Sequence, residues 1–549
     1  MERLAAHYLL SLQCLIWMLS ALVSQGKAFR LKLRPTNTDV WLMLGGLFGV
    51  ASKDNCVRDL FFGTDYNTHL GTEVAGLALL DGDITIFSHD VSNSQFKSKF
   101  GKHYGKLKGK LGIGVISDIK EEQPIKFETK IGRFALCTIG LIKNSKELYS
   151  ALIEKGATFK RSRQKAGTNI LSQTEIVGEL ICTGNSIADG IEKMYKKIEG
   201  SISLLLLSEN DRAIYAAGDT FPLVVGSKNQ SWAAASETTS FPNLGYEIAK
   251  FLDYREIVSF GADGLKTRIP THGKKKFCPF LHVYSGFPAS DFYGINSEIV
   301  RERCGGFLAE NDEVKADLVL GIADSGLPHS VGYVKRKIEL AKEKVQSHLA
   351  EFKQGKIDSK ELEKRISTVM DLIAPLRRPL IKYTPGWGRS YIPPAQRKRE
   401  LIAKYKQVPN PQMIQGKSII LVDDSIRRGT QLQNLLREKI LPFKPKEIHG
   451  RIASPPQLHP CIFDLSTKNS DLATHKSLEG TGQNRDLAQY IDSTTPNYKS
   501  MVEEIRQRIG FTTLRFLTLE EMAKAVIEAP NNTNLKREDL CTYCWTGSF

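Results

Sequence analysis

Hydrophobic residues follow two different rhythms along the chain. From Gly45 to about Ile269, short apolar runs such as "GLALL" (76–80), "LGIGVIS" (111–117), "FALCTIGLI" (134–142) and "SISLLLLS" (201–208) alternate with polar turns and two helix-like stretches. Strand runs separated by short turns predict sheets layered with helices, an α+β sandwich. After "THGKKKF" (271–277) the pattern changes to strand-then-helix units: "ADLVLGIADSG" (316–326), "RPLIKY" (378–383), "KSIILVDDS" (417–425) and "EIHGRIAS" (447–454). Fully apolar strands alternating with helices predict an α/β parallel sheet covered on both faces, whose ligands sit at the carboxyl ends of the strands. Both "ADSG" and "DDSIRRGT" fall at such ends.

Two segments stand apart. Residues 335–370 form a charged helical hairpin with ten Lys or Arg against six Asp or Glu, broken by "QGKIDSKE"; a solvated surface hairpin is the default and an interaction arm the alternative. The apolar run Tyr8–Val23, followed by basic "GKAFRLKLRP", fits a signal-peptide core, an organelle leader, or sequence upstream of a true start at Met43. Residues 1–42 are therefore set aside, and no other stretch is apolar enough to span a membrane.

The 549 residues allow two to four domains, and 41% hydrophobic with 25% charged content is ordinary for a globular chain. The net charge of +16 is spread, with no aromatic-interleaved basic patch, so a solvated basic surface is the default, nucleic acid and membrane partners are not expected, and phosphate ligands stay open. "GKHYGKLKGKLGIG" (101–114) lacks the spacing of a nucleotide-binding loop and reads as a turn into a strand. Nine cysteines do not form the framework of a small disulfide scaffold. The C-x-x-C at Cys541 and Cys544 fits a redox pair, a zinc half-site or an iron–sulfur half-site, and on the residues alone zinc comes first.

The most informative stretch is "IILVDDSIRRGT" (419–430). Backbone N–H groups from Ser425 through Ile426, Arg427, Arg428 and Gly429 to Thr430 can form a concave nest for an anion, opening into a helix whose N-terminal end favours negative charge. Gly429 allows close approach, and the Ser425 and Thr430 hydroxyls can donate to phosphate oxygens. The adjacent carboxylates of Asp423 and Asp424 can accept from sugar hydroxyls or hold magnesium, a hard cation that prefers oxygen. Together these features read as a site for a phosphorylated sugar with a metal.

These motifs resemble those of the glutamine phosphoribosylpyrophosphate amidotransferases (amidophosphoribosyltransferases), over roughly residues 43–549. "GIADSGLPHSVGY" is similar to the family's pyrophosphate loop, with Asp324, Ser325 and Gly326 kept and Ala323 where proline is usual. "GRSYIPPAQRKR" is similar to its closing loop and supplies Gly388, Arg389, Gln396 and Arg399, with Lys382 just upstream. "DDSIRRGTQ" is similar to "DDSIVRGTT", so Arg427 replaces a small apolar residue. "FPASDFYGINSEIVRERCG" is similar to the stretch ahead of the transferase core, and the 335–370 hairpin is an insertion.

The resemblance implies an Ntn-hydrolase-like four-layer αββα domain at 43–270, a type I phosphoribosyltransferase domain at 271–455 and a C-terminal segment at 456–549. It implies formation of 5-phosphoribosylamine and pyrophosphate from phosphoribosyl diphosphate and ammonia. Asp423, Asp424 and Ser325 would hold Mg, and Arg389 would stabilise the departing pyrophosphate from a closing loop. It implies further a 4Fe–4S cluster on Cys278, Cys461, Cys541 and Cys544, a homo-oligomer, and a cytoplasmic location, or an organelle if the leader is real. Cys14, Cys56, Cys137, Cys182 and Cys304 would be small core residues.

The other half of the family pattern is broken. Where members have "CGIFGV", headed by the nucleophilic cysteine, this chain has "GGLFGV" with Gly45 in its place. Leu70 replaces an arginine in "HLGTEVAG", Val115 stands at the glutamine-binding arginine in "LGIGVIS", and "LCTIGLI" puts Ile139 beside Gly140 where an asparagine–glycine pair forms the oxyanion hole. The expectation is a transferase fed by free ammonia or by an ammonia-supplying protein. A nucleobase salvage transferase and a non-catalytic regulatory paralogue are the competing readings.

Overall fold

The computed structural model describes residues 45–548 except 93, 162, 166–167, 272, 274–275, 384–406, 464–466, 479–485 and 533–534. The leader 1–42 with Cys14, and the loop residues Gly388, Arg389, Gln396 and Arg399, lie outside the described residues.

Strand Gly45–Ala51 sits inside a seven-stranded sheet, paired antiparallel with Leu111–Ser117 on one side and Ser231–Ala235 on the other. Gly132–Ile142 and Gly200–Ser208 pair antiparallel within a six-stranded sheet. The period-two alternation of the strands explains how the sheets stack. Leu47, Ile113, Ala135, Leu205 and Leu207 meet in a core between the two sheets. Their neighbours point outward: Phe48 and Val50 pack under helices Val57–Asp65 and Phe96–Tyr104, while Leu204 and Leu206 pack under Gln173–Cys182 and Ile187–Lys197. The result is helix, sheet, sheet, helix, the four-layer arrangement expected.

The second half is built on a four-stranded parallel sheet in the order Leu318–Gly321, Ser418–Asp423, Glu447–Ile452, Thr513–Phe516. Val319, Ile420 and Val422 face one core with helices Ser297–Ala309, Gly326–Lys353 and Leu519–Ile527; Leu318, Leu320, Ile419 and Leu421 face the other with Thr430–Leu435 and Pro496–Ile509. Both faces are covered, as the unbroken apolar strands require.

Two particulars differ from expectation. "RPLIKY" does not join the parallel sheet: Leu380–Lys382 pairs antiparallel with Gln407–Pro409 in a ribbon of its own. Its side chains explain this, because Ile381 is exposed and only Leu380 is buried, so it has one apolar face and not two. The fourth parallel strand comes instead from Thr513–Phe516, beyond residue 455, so the C-terminal stretch supplies part of the sheet.

The charged hairpin forms as two helices, Gly326–Lys353 and Ser359–Met370. Gly355 turns the chain at φ +67°, and the Asp358 side chain caps the second helix by accepting from the Glu361 N–H at 2.7 Å. A buried ion pair ties the first helix to the sheet. Arg451 donates through Nε and Nη2 to the two Asp312 oxygens at 2.5 and 3.0 Å, and the Tyr333 hydroxyl donates to the same carboxylate at 2.7 Å.

Candidate active site

The parallel sheet brings two loops together at its carboxyl edge. One follows Leu318–Gly321 and runs through Asp324 and Ser325 into the helix starting at Gly326; the other follows Ser418–Asp423. They are in contact: a Cβ added at Gly326 would stand 2.6 Å from the Val422 carbonyl oxygen, so only glycine lets the loops lie this close. Ser325 hydrogen bonds to the Asp424 carboxyl from across the gap. The Ser425 hydroxyl donates to Asp424 Oδ2 at 2.6 Å, and the Asp424 N–H donates to Asp423 Oδ1 at 3.0 Å. Lys382 reaches Asp324 with its ammonium group, which joins the ribbon to the first loop.

Gly429 takes a left-handed conformation, φ +74°, and reverses the chain into helix Thr430–Leu435. That helix continues as a wider turn through Leu436–Ile440. Asp423, Asp424, Ser425, Ile426, Arg427, Arg428, Gly429 and Thr430 therefore all lie on one loop facing Asp324, Ser325 and Gly326.

The electrostatics of this edge are unusual. Burial, and then each carboxylate's proximity to the other, pushes Asp423 well above the ordinary carboxylate range; burial also raises Asp424, against the opposing effect of Ser325, Ser425 and Arg301. Asp424, which is buried, and half-buried Asp423 beside it both hold protons more tightly than usual and are in want of a cation. Arg301 supplies part of that charge. It is 2% exposed, donates to the carbonyls of His282, Tyr284 and Gly286 at 2.8, 3.0 and 2.7 Å, and has Asp424 as its strongest acidic neighbour. Sequence reasoning quoted the stretch around Arg301 without singling it out, because one arginine on a helix carries no motif.

A second cluster lies beside the loop. The backbone stitches the C-terminal C-x-x-C between two earlier segments. The Cys541 N–H donates to the Phe277 carbonyl at 2.8 Å, and the Leu458 and His459 N–H groups donate to the Cys544 carbonyl at 3.0 and 2.9 Å. Cys278, Cys461, Cys541 and Cys544 are thereby neighbours, and none is in a disulfide. Hydrogen bonding from Cys544, with Arg427 and Lys143 nearby, lowers Cys461 to about 7. The Cys461 hydrogen bond and burial raise Cys544; burial raises Cys278 and Cys541. Among the described residues no three His, Cys, Asp or Glu groups are already spaced to hold a metal ion. The thiols are gathered without being closed on a point.

Arg427 is half-buried, with the thiols of Cys461 and Cys544 among the groups near it. Its neighbour Arg428 reaches the Thr467 hydroxyl at 3.3 Å and Asp471 at 3.8 Å. Of the other cysteines, Cys56, Cys137 and Cys304 are buried and Cys182 is partly so.

The first half holds a different kind of site. Gly45 opens its strand against Ile116 and Ile139. A Cβ there would come 2.7 Å from Ile139 Cγ2 and 2.9 Å from the Ile116 carbonyl oxygen, so a cysteine does not fit without repacking. Val115 and Ile139 belong to the core between the sheets, and Leu70 is buried as well. Gly140 is held at φ +123° with the Ser201 carbonyl against it. Polar groups survive at the rim. His69 Nε2 lies 2.8 Å from Glu237 Oε2, which also accepts from the Ser290 hydroxyl at 2.9 Å and the Phe287 N–H at 3.2 Å. Sequence reasoning did not single out Glu237.

An Ntn-type amidotransferase fold ahead of a phosphoribosyltransferase-like parallel sheet is thus the class defined here. A family model described as a glutamine amidotransferase domain matches residues 110–243. The chain is similar along most of its length to amidophosphoribosyltransferases. It is 25% identical to the amidophosphoribosyltransferase of Bacillus subtilis over 92% of this chain and 93% of that protein. It is 27% identical to that of Methanocaldococcus jannaschii over 92% and 97%. The solved glutamine phosphoribosylpyrophosphate amidotransferase of B. subtilis, complexed with ADP and GMP, superposes with a TM-score of 0.69 at 25% identity, covering 92% of this chain and 97% of that one.

Proposed function

We propose that the protein forms 5-phosphoribosylamine from phosphoribosyl diphosphate and ammonia, and that it cannot draw ammonia from glutamine. The carrying observation is the contrast between two adjacent acids with raised affinity for protons, on the loop that turns at Gly429, and a nucleophile position held by Gly45 with Ile139 crowded against it. On this reading the N–H groups from Ser425 to Thr430 hold the 5-phosphate, and the Asp324–Gly326 loop with Lys382 takes the pyrophosphate. Asp423 and Asp424 accept from the ribose hydroxyls.

The displacement breaks the C1–oxygen bond to pyrophosphate and forms a C1–nitrogen bond through an oxocarbenium-like state. The proton that the new C1–ammonium sheds passes to the departing pyrophosphate or to water, so no side chain has to take it and the residues act by orientation and charge. Arg389, in the stretch similar to the family's closing loop, would add charge at the leaving group and keep water from the sugar.

The two acids fit magnesium, because burial leaves them short of a countercharge and their oxygens suit a hard cation; Ser325 completes the set. When bound, the metal would neutralise charge on the leaving pyrophosphate. The four gathered thiols fit a 4Fe–4S cluster, a group that stabilises several thiolates at once and would staple the C-terminal tail to the residues around 277 and 458. Among the described residues no helix is long and apolar enough to cross a membrane.

Pyrophosphate release from phosphoribosyl diphosphate and magnesium, with ammonia, glutamine or purine bases supplied separately, tests the reading. Release with ammonia alone supports it, release only with a base makes the protein a salvage transferase, and none with any makes it a regulatory paralogue.

A further inference from the structure

Helix Gly326–Lys353 leaves an apolar line without a partner. Val331, Ile338 and Phe352, together with Leu349, are 40%, 38%, 40% and 39% exposed, and half-buried Val345 falls between them. The positions 331, 338, 345 and 352 are spaced by seven, the interval that keeps a narrow seam facing one neighbouring helix. From 331 to 352 the seam runs about 32 Å at ~1.5 Å per residue. The second helix of the hairpin does not cover it. That helix packs on another side, where its Arg365 bonds Glu351 of the first helix at 2.7 Å.

Charge identifies the occupant. Lys335, Lys342 and Lys353 line one flank of the seam at helical spacing. Glu339 and Glu343, on the same helix, are engaged by Arg336 at 3.5 and 3.0 Å. Lys335 has only a 3.6 Å contact with Glu302, and Lys342 and Lys353 join no ion pair among the described residues. Two copies of this helix would bring lysine rows together, which disfavours self-pairing. A membrane surface suits a broad apolar face rich in aromatics, and this seam is narrow with one aromatic, Phe352. We propose that this face docks an amphipathic helix of a partner protein, with apolar residues at seven-residue spacing and a flanking row of Glu or Asp. The docked helix would lie along an element that begins at Gly326 in the pyrophosphate loop.

The test uses the full chain and two labelled synthetic helices with the same Leu and Ile seam, one carrying Glu at the flanking positions and the other Lys. The acidic helix is expected to bind, more weakly as salt rises, and the basic one about tenfold less or not at all. Ile338→Asp is expected to weaken the acidic helix by about tenfold or more while leaving pyrophosphate release unchanged, which shows that the fold is kept. Equal binding of the two helices, or no binding of the acidic one, overturns the proposal. So does a dimer in light scattering, or binding to phosphatidylserine vesicles, that Ile338→Asp abolishes.

Discussion

Strands Gly45–Ala51 and Ser418–Asp423 both run to places where the resemblance puts chemistry, and they meet opposite surroundings there. At Gly45 the neighbours are Ile116 and Ile139, with Val115 and Leu70 also buried. At Asp423 the neighbour is a second carboxylate, Asp424, which in turn meets two serine hydroxyls and the buried Arg301. On the proposed reading, the difference is that between a site lost and a site kept. Buried polar groups need partners, so a glutamine pocket without its nucleophile is stabilised by replacing its polar lining with hydrocarbon. Two adjacent acids only partly compensated by Arg301 and the serine hydroxyls cost stability that an apolar pair would not, which makes them candidates for function.

The largest effect that separates the two regions is expected from Asp423→Asn with Asp424→Asn. Pyrophosphate release should fall by about a thousandfold, the scale on which losing preorganised charge acts, while thermal stability holds or rises because two like charges are gone. A drop in stability would mean that the acids serve the fold.

Asp312→Ala comes next. It leaves Arg451 buried and unpaired, so a loss of about 3–5 kcal/mol is expected, read in urea by the fluorescence of Trp545, which is buried in the same half. The pH dependence has a definite sign. Arg451 holds the Asp312 carboxyl down to about 2, against burial, so the stabilisation is complete above its unfolded value of roughly 4 and fades as pH falls from there towards 2. Unchanged stability across that window would remove the pair from the account.

Gly45→Cys should have a smaller effect. The added Cβ meets Ile139 and the Ile116 carbonyl, so about 1–3 kcal/mol of overpacking is expected, relieved in part by Ile139→Ala. Neither variant should release glutamate from glutamine, since Leu70 and Val115 still lack the groups that would bind it. Cleavage by Gly45→Cys alone would show the pocket to be more intact than its packing implies.

Much of this was legible in the chain. Alternating runs such as "LGIGVIS" became strands whose residues sort between an inner core and an outer one, and "DDSIRRGT" became a loop turned by Gly429. What escaped was carried by single residues or by geometry. "TLRF" is too short and too polar to read as a sheet strand; Arg515 within it donates to the carbonyls of Phe307, Leu308 and Glu310. Arg301 and Glu237 act through the backbone groups they grip, which spacing does not reveal. The turn of Arg427 towards Cys461 depends on where the tail is stitched, a contact between residues far apart in sequence.

The most direct measurement follows pyrophosphate and glutamate together in one preparation, given phosphoribosyl diphosphate and magnesium with either ammonium or glutamine. Pyrophosphate with ammonium and no glutamate from glutamine is the expected result. Glutamate formed at a rate matching pyrophosphate would contradict it, because the site at Gly45 would then be working.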